Sequence, residues 1–177
     1  ATLAPRWRRP VEEALSARAT FATLVPRLQM GPTRDRLAAL QERLDQGVVA
    51  CWETASRAQA AEAVIATLDP DDLTARLKDA RRRLTALAED GPEAARVRAE
   101  LDALSTQMAS VSRIWDGLDE AAERLRLLEL RLDGAVARAA ELVLAPSSST
   151  LLARVEGDLT SAVDELEALR QAVVSLD

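Results

Sequence analysis

The sequence predicts an all-α protein, an elongated antiparallel helical bundle of about five helices that form coiled-coil hairpins. Three observations favour this fold class. Apolar residues recur every three or four positions from residue 97 to residue 143, at a mean step of about 3.5, which keeps one seam of a helix against a partner helix. Strong helix formers dominate the composition, and strand-favouring β-branched or aromatic runs are missing. Most prolines, together with Gly31 and Gly91, occur where helices would turn.

The first helix is expected over about residues 9–29, after a basic N-terminal arm at residues 1–10. Pro26 should kink or end this helix early, because proline lacks the N–H group that a helix interior needs. Gly31 can end a helix, and Pro32 can open the next one. The predicted apolar stripe of the first helix is Val11, Leu15, Arg18, Phe21, Val25 and Leu28.

The second and third helices are expected over about residues 33–68 and 71–89. Asp69 is predicted to cap the third helix, with Pro70 at its first position, because a carboxylate accepts the unpaired N–H groups of a helix start. The predicted stripe of the second helix is Leu37, Leu40, Leu44, Val48, Cys51, Ala55, Ala58, Ala61, Ile65 and Leu68. That of the third helix is Leu73, Leu77, Ala80, Leu84 and Leu87.

The fourth and fifth helices are expected over about residues 93–144 and 150–176. Asp90 is the predicted cap of the fourth helix, and Ser149 or Thr150 that of the fifth. The stripe of the fourth helix is Val97, Leu101, Leu104, Met108, Val111, Trp115, Leu118, Ala122, Leu125, Leu128, Leu132, Val136, Ala139 and Val143. That of the fifth is Leu152, Val155, Leu159, Val163, Leu166, Leu169, Val173 and Leu176.

The helix lengths and turns predict how these helices assemble. The fourth helix should be about 75 Å long. The third helix is expected to run antiparallel to the start of the fourth helix. The fifth helix is expected to fold back along the end of the fourth. The first helix is expected to fold back on the second. Residues 1–177 are therefore interpreted as a single elongated bundle domain.

The composition excludes many kinds of chemistry. The 177 residues include no histidine and no tyrosine, and Cys51 is the only cysteine. Without histidine, the usual proton-transfer, zinc and serine-hydrolase sites cannot be built. No glycine-rich phosphate loop is present. We therefore expect no catalytic residues, no metal ligands, no cofactor and no enzymatic activity, and we expect Cys51 to act as a small buried hydrophobe.

Charged and apolar patterning give further expectations about location. No run of about 18 apolar residues is present, and the first thirty residues lack the apolar core of a signal peptide. A cytoplasmic location is predicted, with association at a membrane surface left open.

The first residue is Ala1 rather than methionine, which indicates a processed protein or a piece of a longer one. The basic residues are almost all arginine, which is typical of a high-GC bacterial genome.

The candidate interaction residues are a basic N-terminal cluster and one tryptophan. Arginines that flank a tryptophan occur where proteins meet anionic membranes or acidic partners. The net charge of −6 argues against general nucleic-acid binding.

Trp52 lies one step off its stripe and is predicted to be partly exposed, as a partner anchor would be. Trp115 is predicted to lie in the core, and the acidic residues at 116–123 are interpreted as a solvated face paired with arginines. The predicted interaction residues are Arg6, Trp7, Arg8, Arg9 and Trp52.

The sequence is compatible with three functions. The leading hypothesis is a non-catalytic helical scaffold or protein–protein interaction module that binds a protein partner or itself. A long helical hairpin after a short arginine-rich helix resembles, in layout alone, the phage-shock and ESCRT-like coiled-coil proteins. That resemblance implies a peripheral adaptor of the membrane-stress or remodelling type, bound to an anionic membrane through its basic arm. The third hypothesis, a ligand-carrying or enzymatic bundle, would need polar groups on the apolar seams, where Arg18 is the main exception.

Overall fold

The structure, a computed structural model, describes residues 2–28, 30–87, 91–145 and 147–174. Within them the chain forms five α-helices and no strand, which confirms the all-α helical-bundle prediction. The helices are α1 (Pro5–Leu24), α2 (Pro32–Thr67), α3 (Pro70–Ala86), α4 (Pro92–Leu144) and α5 (Ser149–Val174). A 3-10 turn over Val25–Arg27 follows α1. The chain divides into two units, one formed by Ala1–Gln59 with Asp119–Asp177, and one formed by Ala60–Leu118.

Proline residues fix several of the helix ends. Helices α1 to α4 all begin at a proline, whose missing N–H would have no helical partner at that position. For this reason α1 begins at Pro5, four residues before the predicted start, and part of the predicted arm is helical. The predicted early end of α1 is confirmed, because the α-helix stops at Leu24 and Pro26 lies in the 3-10 turn.

The caps of α3 and α5 are provided by side chains just before each helix. Asp69 has a left-handed backbone (φ 45°), and its Oδ1 accepts a hydrogen bond from the Asp72 N–H at 3.1 Å. The predicted cap is therefore confirmed. The cap of α5 is Ser148, whose Oγ accepts from the Leu151 N–H at 3.4 Å. The prediction of Ser149 or Thr150 was wrong by one residue, because α5 already begins at Ser149.

Five predicted features lie outside the described residues. They are the Asp90 cap, the helix ends at residues 29 and 89, and the end of the fifth helix at residue 176 with its stripe residue Leu176.

In the first unit, α1 and α2 run antiparallel, and so do α4 and α5. The Ala4 N–H donates to Gln59 Oε1 at 2.5 Å, and the Arg18 guanidinium pairs with Asp45, so α2 returns along α1. On the other side of this unit, Arg138 pairs with Asp158 and Arg131 pairs with Glu165. From the first pair to the second, the α4 residue number falls by seven while the α5 residue number rises by seven, so the two helices run in opposite directions. These contacts confirm that the first helix folds back on the second and that the fifth folds back along the fourth.

Two further sets of ion pairs close the four helices into a ring. Helix α2 runs parallel to α5, through Arg36 with Glu156 at 3.8 Å and Arg43 with Asp164 at 3.0 Å. Helix α1 runs parallel to α4, through Arg6 with Asp119 at 2.5 Å and Arg9 with Glu129 at 3.8 Å. The order around the ring is therefore α1, α2, α5, α4. The α1/α2 pair and the α4/α5 pair form opposite sides of a four-helix bundle.

The buried faces follow most of the predicted stripes. Every residue of the α4 stripe is at least partly buried, including Trp115. The stripe of α1 was wrong at two positions, because Leu15 and Arg18 are exposed while Ala14 and Ala17 are buried. Small alanine side chains let the other helices approach this face closely. On the α2 stripe, Leu68 is exposed because the helix ends at Thr67.

The second unit contains the end of α2, α3 and the first part of α4. The Arg83 Nη2 lies 2.7 Å from Glu100 Oε2, which joins the end of α3 to the early part of α4, as the predicted antiparallel pairing requires. The buried apolar residues include Leu73, Leu77 and Ala80 on α3, and Ala94, Val97, Leu104 and Val111 on α4.

Candidate interaction surface

The predicted basic cluster lies on the first two turns of α1, and its four residues have different environments. Trp7 is fully buried, so its indole belongs to the core of the first unit. The Arg6 guanidinium carbon lies 4.9 Å from the centroid of the Trp7 ring, a cation–π distance. The surface part of the cluster therefore consists of the three arginines.

These arginines have carboxylates of the same chain beside them. Arg6 pairs with Asp119 at 2.5 Å, and Arg9 lies 3.8 Å from Glu129. Arg8 lies 3.6 Å from Glu12, one helical turn further along α1. An anionic membrane or an acidic partner would have to compete with these carboxylates for the same guanidinium groups.

Arg6, Arg9 and their partners on α4 border a cleft of about 370 Å³ between α1 and α4. Its charged lining is balanced, since Arg6, Arg9 and Arg126 face Asp119, Glu123 and Glu129. Most of these charges already form ion pairs, including Arg126 with Glu123 at 3.3 Å. The interpretation of this acidic stretch as a charged face paired with arginines is confirmed at these positions, and Glu120 likewise pairs with Arg124. Arg113, predicted to pair with this face, instead donates to the Ser110 hydroxyl at 3.0 Å.

Cys51 has the environment of a structural residue. It lies on the buried face of α2, as predicted. Burial raises the pKa of its thiol to about 12, because a thiolate would lose its hydration there. The thiolate, which is the nucleophile and metal-binding form, is therefore scarce near neutral pH.

Trp52 and two neighbours form an exposed apolar surface. Trp52 is 46% exposed, which confirms its predicted partial exposure, and Val49 is 57% exposed one turn earlier on α2. On α1, Leu15 is 45% exposed. We name these three residues, Leu15, Val49 and Trp52, the Trp52 surface.

The register of the two helices brings these three residues to one level. Asp45, Trp52 and Gln59 are spaced by seven residues, so they share a face of α2. Asp45 pairs with Arg18 of α1, and Gln59 accepts from the N–H of Ala4, the residue just before α1. Trp52 therefore lies on the edge of α2 that faces α1. The same pairing places Leu15 level with position 48, beside Val49. A helical side chain leans toward the N-terminus of its helix. The Trp52 indole therefore leans toward Val49 and toward the level of Leu15.

A second exposed apolar surface lies on α4 and was not predicted. Leu127 is 44% exposed and Leu130 is 57% exposed. Leu127 lies three residues after Arg124 and four before Arg131, and Arg131 pairs with Glu165 of α5. Leu127 is therefore on the α5 side of α4. We name Leu127 and Leu130 the leucine surface.

A sequence signal for the leucine surface exists. Five of the eight residues from 125 to 132 are leucine, which is more than one seam can bury. Leu125, Leu128 and Leu132 take the core positions. The other two must then lie on another face of the helix.

The described residues contain neither a metal-binding cluster nor a membrane-spanning helix. Among the residues that the structure describes, no group of three or more aspartate, glutamate or cysteine side chains could hold a metal ion. No helix in the described part of the chain combines the length and apolar composition needed to cross a bilayer.

Comparison with known proteins gives no relative. No protein-family model, no curated protein and no solved structure matches this chain.

Proposed function

We propose that this protein is a non-catalytic helical scaffold that binds a protein partner through the Trp52 surface. The observation that carries the proposal is the half-exposed Trp52 indole beside Val49 and Leu15. Tryptophan is enriched among the residues that dominate binding energy at protein interfaces. Its position on a regular helix, between two hydrogen-bonded positions, holds it in place for a partner at little entropic cost.

The charged groups support a protein partner rather than a membrane. The arginines of the basic cluster lie within 4 Å of carboxylates of α1 and α4. The Trp52 surface lies on the α1/α2 side, away from the cleft that these carboxylates line. Co-sedimentation with anionic vesicles at low salt tests the membrane alternative, and tight binding that disappears in an R6Q/R9Q variant would favour it over the scaffold.

The experiment that tests the proposal is site-specific photocrosslinking in the cells that produce the protein. A benzophenone amino acid replaces Val49, and a control variant carries it at Arg154, an exposed position on α5. We expect a discrete covalent adduct from position 49 that is absent from position 154 and that a W52A substitution weakens. Equal labelling at the two positions, or none at either, would refute the proposal.

A further inference from the structure

We draw no further inference here: the strongest candidate, the leucine surface on the α5 side of α4, carries nothing because nothing in the structure shows what covers its two exposed side chains.

Discussion

The close approach of α2 and α5 can be tested with a matched pair of glycine substitutions. Gly47 lies inside α2, and a Cβ atom at this position would lie 3.0 Å from Val163 Cγ2 and 3.5 Å from Leu166 Cδ1. Gly157 lies inside α5 on an exposed face, where an added Cβ would meet nothing within 4 Å. Both substitutions to alanine remove the same helix-propensity penalty. Any difference between their effects on the free energy of unfolding therefore reports the contact with Val163.

The expected magnitudes follow from this geometry. Replacing glycine by alanine inside a helix stabilises it by about 1 kcal/mol, and G157A should show that gain. In G47A the new methyl group must displace Val163, whose branched side chain has one strongly preferred rotamer in a helix. Overpacking of this kind costs about 1–3 kcal/mol. We therefore expect G47A to be less stable than G157A by that amount.

Urea denaturation followed by circular dichroism measures both variants. A double substitution, G47A/V163A, removes the crowded methyl groups and should be more stable than the sum of its single effects, by about 1 kcal/mol or more. If G47A gains as much stability as G157A, or if the double variant is simply additive, the inferred close packing of α2 on α5 is refuted.

Four further predictions concern other residues. W7A should lose about 3–5 kcal/mol of unfolding free energy in the same denaturation assay, because the whole indole is buried. D69A should lose about 0.5–2 kcal/mol, whereas D69N, which can cap and tolerates the left-handed backbone, should lose less. Hydrogen bonds from Arg170 lower the pKa of Glu167 to about 2 from its usual 4.5. That stabilisation is present above about pH 4.5 and is lost as the pH falls toward 2, so acid titrations of E167Q should show a shallower loss of stability than wild type. Cys51 should resist a thiol reagent at pH 8 in the native protein and react on unfolding, and rapid native labelling would contradict its burial.

The helices could be predicted from the sequence because their signals are local. The apolar period of α4 and the prolines at the helix starts depend on neighbours within one or two turns. In α1 the period failed, since Ala14 and Ala17 are as compatible with a surface as with a core. Their burial depends on how closely the other helices approach, and a single sequence does not contain that distance.

The candidate surfaces were predicted only in part, for a related reason. Trp52 could be placed at the edge of its stripe by counting residues. Leu15 was assigned to the core because the sequence shows only that it is hydrophobic, and a leucine has the same hydrophobicity on the buried face of a helix as on the exposed face. The partner of Arg6 is Asp119, more than one hundred residues away, so its ion pair could be identified only after the ring of helices was known.

The ring also dictates an order of events while the chain is synthesised. Trp7 lies beside Arg6 in α1, and the α4 carboxylates that pair with this end of the helix follow at Asp119 and Glu129. At ribosomal rates of about 5–20 residues per second, the first helix waits roughly ten seconds for those partners. During that interval α2 is the only other helix of the ring that has been completed. Nascent chains of this protein are therefore expected to need a chaperone most between the emergence of α1 and that of α5.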